Sequence, residues 1–280
     1  MLEIKEPEIK VPQLKMQQVN KQQIAAAFSR AAGTYDPVAH LQRAVGKKLL
    51  ELAKTPLQQI QPLENWLDLG CGTGYFCQIL ENTWPQAEGI GLDLAEGMLK
   101  FAQTRCPNAQ YLCADAEQLP LATSSQDLVF SSLALQWCSN LSGVLNEVKR
   151  VLKPGGLFLF SSVAEGSLFE LNQSWQAVDS TQHVNNFRSF KAYQTLLEKS
   201  NLELIQAQNL KHTCYYQKVQ YLTQELKELG ADSIQTGRNS GLMGRNSLQR
   251  LLKSYESYRQ PEGLPASWQI VYGVLRNNEH

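Results

Sequence analysis

One ten-residue stretch, residues 66–75, constrains the fold of this chain more than any other feature. It reads Trp-Leu-Asp-Leu-Gly-Cys-Gly-Thr-Gly-Tyr. Apolar residues run into an acid, three glycines follow at every second position, and a helical pattern then begins. This order predicts a buried parallel strand, a tight turn and the first turn of a helix. Glycines at such a turn let a ligand lie against bare backbone, because no Cβ stands in the way.

The spacing of these glycines limits the classes of ligand that the turn is expected to bind. The fingerprint that cradles a dinucleotide pyrophosphate is G-x-G-x-x-G, whereas here Gly74 comes one residue early and Tyr75 holds the later position. Asp68, before the first glycine, would repel a phosphate and suits a cationic, amino-acid-like group. The stretch therefore argues against a nucleotide-dependent dehydrogenase. A binding experiment that shows no affinity for NAD would exclude this class of enzyme directly.

Two further acids follow at the ends of the next two apolar runs. Asp93 ends the run 90–93, and Asp115 follows the run that begins at Tyr111. A carboxylate at the tip of the second strand can accept hydrogen bonds from both hydroxyls of a ribose. In open parallel sheets, ligands bind beyond the carboxyl ends of the strands. All of these acids are expected at that edge of the sheet.

These motifs resemble motif I and the following strand ends of the class I S-adenosylmethionine (SAM) methyltransferases. The resemblance implies SAM as cofactor, with the glycine loop supporting its aminocarboxypropyl arm and Asp115 facing the adenine amino group. The residues expected to bind the cofactor are Asp68, Gly70, Cys71, Gly72, Gly74, Asp93, Leu94, Met98, Asp115, Ala116 and Ser131.

The alternation of strands and helices between residues 66 and 162 predicts an α/β fold with helices on both faces of a mostly parallel sheet. We expect a Rossmann-like, seven-stranded sheet. A helical pattern from Asn20 is expected to break at Gly33, and a second helix to begin at Pro37. The expected division is a disordered extension (1–18), a helical lid (19–62), the core (63–216), an inserted helical cap (217–262) and the last strand with the tail (263–280).

Composition excludes several classes of protein. The 280 residues carry 26 basic and 26 acidic side chains, so net charge predicts neither nucleic-acid nor membrane binding. No apolar stretch is long enough to span a bilayer, and the N-terminus lacks a secretory apolar region. The six cysteines form no CxxC pair, which disfavours zinc and suits a reducing compartment. We expect a cytoplasmic protein. The residues alone do not fix its oligomeric state, with a monomer favoured.

Stretches outside the cofactor motifs are similar to the malonyl-[acyl-carrier protein] O-methyltransferases of biotin synthesis. The match covers residues 19–276, and residues 242–244 depart from it with Leu-Met-Gly where Leu-Thr is expected. The stretches that carry it are 19–35, 132–138, 166–183, 229–238 and 247–251.

This resemblance implies methyl transfer to the free carboxylate of a malonyl thioester, carried on acyl carrier protein or coenzyme A. The methyl ester masks the charge so that fatty-acid enzymes can elongate the chain toward pimelate. A carboxylate with a pKa near 4 is already ionised at neutral pH, so no general base is needed. An arginine fork suits recognition of such a carboxylate, and the candidates are Arg30, Arg188, Arg238 and Arg245.

The expected catalytic residues are Tyr35, Arg188 and Arg238, which would position the substrate carboxylate. Tyr35 and Trp137 are interpreted as walls of the methyl-transfer site, with a packing tyrosine as the alternative for Tyr35. Trp175 is expected in the core, and His183 is expected to be structural.

Charge differs between regions of the chain. Residues 64–127 hold nine acids and two bases, whereas residues 1–48 and 211–259 each hold eight bases and four acids. Acyl carrier proteins are acidic, so the basic cap is expected to steer their docking. Two alternatives stay open: a SAM enzyme for another small carboxylate, amine or quinone, and a SAM-binding accessory protein without turnover.

Overall fold

The computed structural model describes residues 20–60, 62–179, 183–231 and 245–278. Ten α-helices and seven strands lie within these residues. The strands are β1 (Asn65–Leu69), β2 (Glu88–Asp93), β3 (Gln110–Cys113), β4 (Gln126–Ser132), β5 (Leu152–Ala164), β6 (Glu203–Tyr216) and β7 (Leu264–Arg276). The helices are α1 (Lys21–Val38), α2 (His40–Leu52), α3 (Lys54–Gln58), α4 (Tyr75–Thr83), α5 (Glu96–Arg105), α6 (Leu141–Val151), α7 (Phe169–Gln176), α8 (Phe190–Glu198), α9 (Val219–Glu228) and α10 (Arg245–Glu256).

The strands form one sheet in the order β3-β2-β1-β4-β5-β7-β6. The first five are parallel, and β7 runs antiparallel to both β5 and β6. This confirms the predicted mostly parallel, seven-stranded sheet. The chain moves outward from β1 to β3 and then returns to place β4 on the other side of β1. Strand order therefore reverses between β1 and β4, and a cleft opens beyond the carboxyl ends of these strands.

Helices cover both faces of the sheet because apolar residues recur at helical spacing. On one face, α2 and α4 bury Val45, Leu49 and Leu80 against the sheet. On the other face, α6 buries five residues at intervals of three and four, and α8 packs beside it. The five buried residues of α6 are Leu141, Val144, Leu145, Val148 and Val151.

The predicted break of the first helix at Gly33 is wrong. Helix α1 continues to Val38 with Pro37 inside it, and α2 begins at His40. Tertiary packing outweighs the weak helix propensity of glycine, because Thr34 donates a hydrogen bond to the Glu228 carbonyl at 3.0 Å and fixes this turn against α9. Pro37 is tolerated because it removes only one hydrogen bond, in the last turn.

Helices α9 and α10 lie between β6 and β7, where they form a separate apolar cluster with α7. Leu171, Trp175, Leu222, Leu251 and Tyr255 are buried in this cluster. Among the described residues, no helix is long and apolar enough to cross a membrane. The expected extension, residues 1–18, lies outside the described part of the chain.

Candidate cofactor cleft and active site

The glycine turn after β1 adopts backbone conformations that side chains rarely permit. Gly70, Gly72 and Gly74 have φ angles of 79°, 53° and 78°. A Cβ on Gly70 would lie 2.3 Å from the Ala134 side chain, and one on Gly74 would lie 2.9 Å from Ala102. A Cβ on Gly72 would have no neighbour within 4 Å. The first and third glycines thus permit packing, whereas the middle glycine presents bare backbone to the cleft.

Asp93, at the end of β2, fixes this turn. One carboxylate oxygen accepts a hydrogen bond from the Gly72 N–H at 2.9 Å, and the other accepts from the Ala95 N–H at 2.8 Å. Burial raises the pKa of Asp93, and these backbone donors partly oppose the shift. Each oxygen keeps a further lone pair for a ligand. A hydroxyl-bearing group in the cleft would find its acceptors here.

Asp68 lies beneath the glycine turn and is 2% exposed. Burial raises its pKa to about 7, although the Cys77 thiol donates to its carboxylate at 3.3 Å. A cation placed next to this group would favour its ionised form. Asp68 and Cys71 line a small cavity next to the main cleft, together with Tyr35.

A cleft of about 770 Å³, counting space open to solvent, lies above the carboxyl ends of β1, β2 and β4. Nine of the residues predicted from the sequence line it: Tyr35, Gly70, Gly72, Asp93, Leu94, Met98, Asp115, Ala116 and Trp137. Gly74 and Ser131 are not among its lining residues. Ser131 is fully buried and donates to the Leu69 carbonyl at 2.8 Å, and Ser132 lines the cleft instead.

Lys21 of the lid lies across the cleft from the sheet. Its ammonium group is 2.6 Å from the Asp115 carboxylate and 2.8 Å from Glu117. Partial burial opposes the charge on Lys21, but these two acids outweigh it and raise the pKa of the lysine. Burial likewise opposes the charge on Glu117, but Lys21 and two backbone N–H groups lower the pKa of that carboxyl group. Sequence reasoning missed Lys21, because no local motif marks it.

A second contact joins the lid to the glycine turn. Asp36 accepts a hydrogen bond from the Thr73 hydroxyl at 2.7 Å and forms an ion pair with Arg105. Arg105 also donates to the Thr73 carbonyl at 3.0 Å. This network holds the neighbouring Tyr35 over the cleft, where burial raises the pKa of its hydroxyl. Sequence reasoning missed Asp36, Thr73 and Arg105 as well.

Trp137 ends a short 3₁₀ helix, Leu135–Trp137, that follows β4. Its ring packs edge-on against Phe28 of the lid, with ring centroids 5.6 Å apart. Trp137 lines the cofactor cleft and also a second, larger cavity beneath the cap, of about 1430 Å³ when space open to solvent is counted. The two cavities therefore share one wall residue.

Residues from α7, α9, α10 and β7 line the second cavity. Trp175 is buried in the cap cluster, and its ring stacks on His183 at 3.7 Å between centroids. The imidazole of His183 also lies 2.8 Å from the Asp179 carboxylate. These contacts position His183 in the wall of the cavity.

The predicted arginines lie in different places. Arg188 donates to the carbonyl oxygens of Cys138 and Ser139 at 3.4 Å and is not among the residues that line either cavity. Arg30 is exposed on α1. Arg238 lies outside the described residues, and Arg245 is described only as the first residue of α10. The role of an arginine in binding the substrate carboxylate stays a prediction.

Comparison with known proteins gives two levels of similarity. Residues 67–160 match the family described as "Methyltransferase domain". The solved structure of the YcgJ protein from Bacillus subtilis has a TM-score of 0.56 at 20% identity, covering 83% of this chain and 98% of that one. Geranyl diphosphate C-methyltransferase from Streptomyces coelicolor has a TM-score of 0.52 at 14% identity, covering 86% and 82%. At these identities the structures establish the fold alone.

Three proteins of known name match nearly the whole chain, and their sequence identity is higher than that of the solved structures. The malonyl-[acyl-carrier protein] O-methyltransferase of Serratia marcescens is 43% identical over 252 residues, which are 90% of this chain and 94% of that protein. The Yersinia pestis protein of the same name is 42% identical, with 90% of each chain covered. The biotin biosynthesis bifunctional protein BioHC of Cellvibrio japonicus is 42% identical, and the match spans 90% of this chain but 49% of that longer protein.

Proposed function

Because the chain belongs to the malonyl-[acyl-carrier protein] O-methyltransferase family, we propose that it transfers the methyl group of SAM to the free carboxylate of a malonyl thioester. The product is the methyl ester, whose masked charge permits elongation toward pimelate early in biotin synthesis. We also propose that the protein acts in the cytoplasm. The observation that carries the proposal is similarity that extends through the lid and the cap, which surround the substrate side of the cleft.

The cleft fits the cofactor. The open face of Gly72 leaves room for a ligand against the backbone, and the Asp93 carboxylate offers acceptors beside it. Apolar side chains of Leu94, Met98 and Ala116 suit a flat aromatic ring. We propose that Asp68 attracts the cationic end of SAM from beneath the turn, and that Asp93 accepts from its ribose hydroxyls. When bound, SAM supplies a methyl group on a positively charged sulfur.

The chemistry requires no proton transfer from the chain. A substrate carboxylate is ionised at neutral pH, and its oxygen forms a bond to the methyl carbon as the bond from that carbon to sulfur breaks. Burial raises the pKa of Cys138 to about 12 and raises the pKa of Tyr35, so both cleft residues stay protonated at neutral pH. The proposed work of the site is therefore to hold the carboxylate in line with the methyl group and exclude water. Tyr35 and Phe28 of the lid are suited to this role, together with Trp137, which packs against Phe28 from the sheet side.

The proposal is tested with labelled SAM and a set of acceptors. We expect base-labile label on malonyl-[acyl-carrier protein], less on malonyl-coenzyme A, and none on acetyl-coenzyme A. An absence of label on every malonyl thioester, with SAM binding intact in calorimetry, would refute the substrate and leave the cofactor assignment standing. The next acceptors to test are other carboxylates, amines and quinones.

Docking of the carrier protein is proposed on the basic cap. Arg250 and Lys253 lie on α10, and Lys253 occupies its last turn. Charge reversal at both positions is expected to raise the KM for malonyl-[acyl-carrier protein] and leave turnover of malonyl-coenzyme A unchanged. An equal effect on both substrates would contradict docking at this surface.

A further inference from the structure

Helix α9 presents a polar stripe to the second cavity. Gln220, Thr223, Gln224 and Lys227 follow at intervals of three, one and three residues, so they share one face of the helix. Leu168, on the other hand, belongs to the buried apolar wall of the same cavity. A cavity with one polar and one apolar wall suits a chain that carries amides between methylene groups, because its amides need hydrogen-bond partners.

The two ends of this stripe differ in their surroundings. At the C-terminal end of α9, the Glu228 carbonyl accepts the hydrogen bond from Thr34, and Gly230 packs against Ala27 of the lid. Lys227 therefore lies at the end of the cavity nearest the lid and its Tyr35. Gln220 lies seven residues earlier, about 10 Å away along the helix axis.

Of the described residues that line the second cavity, Lys227 is the one lysine or arginine. Among the ion pairs of the described residues, Lys227 takes part in none, whereas Lys21, which lines the cofactor cleft, is paired with Asp115 and Glu117. The ammonium group of Lys227 is a strongly hydrated point charge that orients a carboxylate without fixing both of its oxygens. Such a contact leaves one carboxylate oxygen free to attack.

We propose that the second cavity binds the malonyl thioester, with Lys227 holding its free carboxylate beside Trp137 and the polar stripe of α9 following the thioester arm outward. This inference rests on the proposed function. It assigns the substrate carboxylate to a lysine of the cap, where sequence reasoning had considered only arginines.

The first test uses malonyl-N-acetylcysteamine, a short thioester that needs no carrier protein. Lys227→Gln is expected to raise its KM about tenfold or more, since a hydrogen bond to a charged group is lost. Lys227→Arg is expected to restore most of the loss, and the Kd for SAM is expected to stay within about threefold in both variants. Lys199→Gln is the matched control, because Lys199 is likewise an exposed lysine at the C-terminal end of a helix, α8, but it lines neither cavity.

A KM that is unchanged in Lys227→Gln, or raised equally in Lys199→Gln, would overturn the assignment. If the wild-type protein methylates no malonyl thioester, the proposed function fails instead, and the two failures are therefore distinguishable.

The second test examines whether the thioester arm of the substrate follows the polar stripe of α9. Thr223→Trp fills part of the polar stripe, and Thr195→Trp is its control on α8, since each threonine is exposed and donates to a backbone carbonyl of its own helix. We expect Thr223→Trp to lower kcat/KM for malonyl-pantetheine at least tenfold relative to malonyl-N-acetylcysteamine. An equal change for the two substrates, or the same selectivity change in Thr195→Trp, would contradict the proposed path of the arm.

Discussion

Lys21 and Asp115 are 94 positions apart in sequence, yet the ammonium nitrogen of one lies 2.6 Å from a carboxylate oxygen of the other. Helix α1 is thereby joined to the sheet across the mouth of the cofactor cleft. Both side chains are about one-third exposed or less, so solvent screens the pair in part. Its role is expected to be to hold the lid closed over a bound ligand.

Lys21→Met is therefore expected to speed the dissociation of SAM by about threefold to fivefold, since a partly exposed ion pair contributes up to about 1 kcal/mol. Stopped-flow displacement of bound cofactor measures this rate. Lys153→Met is a close control, because Lys153 also pairs with two acids and is similarly exposed, but it lies at the opposite edge of the sheet. Equal dissociation rates in wild type and Lys21→Met would refute the role.

Two substitutions in the glycine turn are expected to distinguish its role in packing from its contact with the ligand. Gly72→Ala and Gly74→Ala both place a side chain at positive φ, which costs about 1–2 kcal/mol of folding stability. Gly74→Ala adds a clash with Ala102, so its melting temperature is expected to fall further. Gly72→Ala is expected to fold but to lose at least about tenfold in SAM affinity, because its Cβ points into open space in the cleft wall. Thermal unfolding and calorimetry on both variants would test this, and the reverse order of effects would contradict it.

Asp36 is expected to matter for the cofactor although it is absent from the main cleft. Asp36→Ala removes the acceptor of Thr73 and the ionic partner of Arg105. We expect a loss of about 1–2 kcal/mol in unfolding free energy and a roughly tenfold weaker SAM affinity, because the glycine turn loses its link to the lid. Glu147→Ala is the comparison, since Glu147 also pairs with an arginine and accepts a backbone N–H. A similar loss of SAM affinity in Glu147→Ala would argue against a specific role.

The sequence predicts the sheet and the strand-end acids for a physical reason. Asp93 and Asp115 follow apolar strands, and the carboxyl ends of parallel strands meet at one edge. The prediction for Ser131 shows the limit of this reasoning, because successive side chains of a strand point to opposite faces. A difference of one residue decides that Ser132 lines the cleft and Ser131 is buried.

Contacts between distant segments could not be predicted from local patterns. The link from Asp36 to Arg105 spans 69 positions, and the hydrogen bond from Thr34 to Glu228 spans 194. Neither has a sequence motif, since each depends on how α1 crosses the sheet and the cap. The same packing keeps α1 helical through Gly33, where local propensity predicts a break.

Asp68 predicts a dependence of cofactor affinity on pH. Its pKa in the folded protein is about 7, above the ordinary value of 3.8, because burial disfavours the charged form. If the ionised group attracts the cationic end of SAM, binding must release this proton below pH 7. Affinity is then expected to rise by up to about tenfold per pH unit toward pH 7 and to level off above it.

The raised pKa also affects stability without cofactor. The folded form holds the Asp68 proton more tightly than the unfolded chain, so this contribution is present below about pH 4 and is lost as pH rises through about 7. Asp68→Asn cannot ionise and does not lose this contribution. The melting temperature of the variant, measured relative to that of wild type, is therefore expected to rise as the pH increases over this range. In calorimetry the same variant should bind SAM weakly, with a flatter pH profile. A wild-type affinity that does not change between pH 5 and 7, together with a constant difference in melting temperature, would rule out the ionisation of Asp68 as the cause.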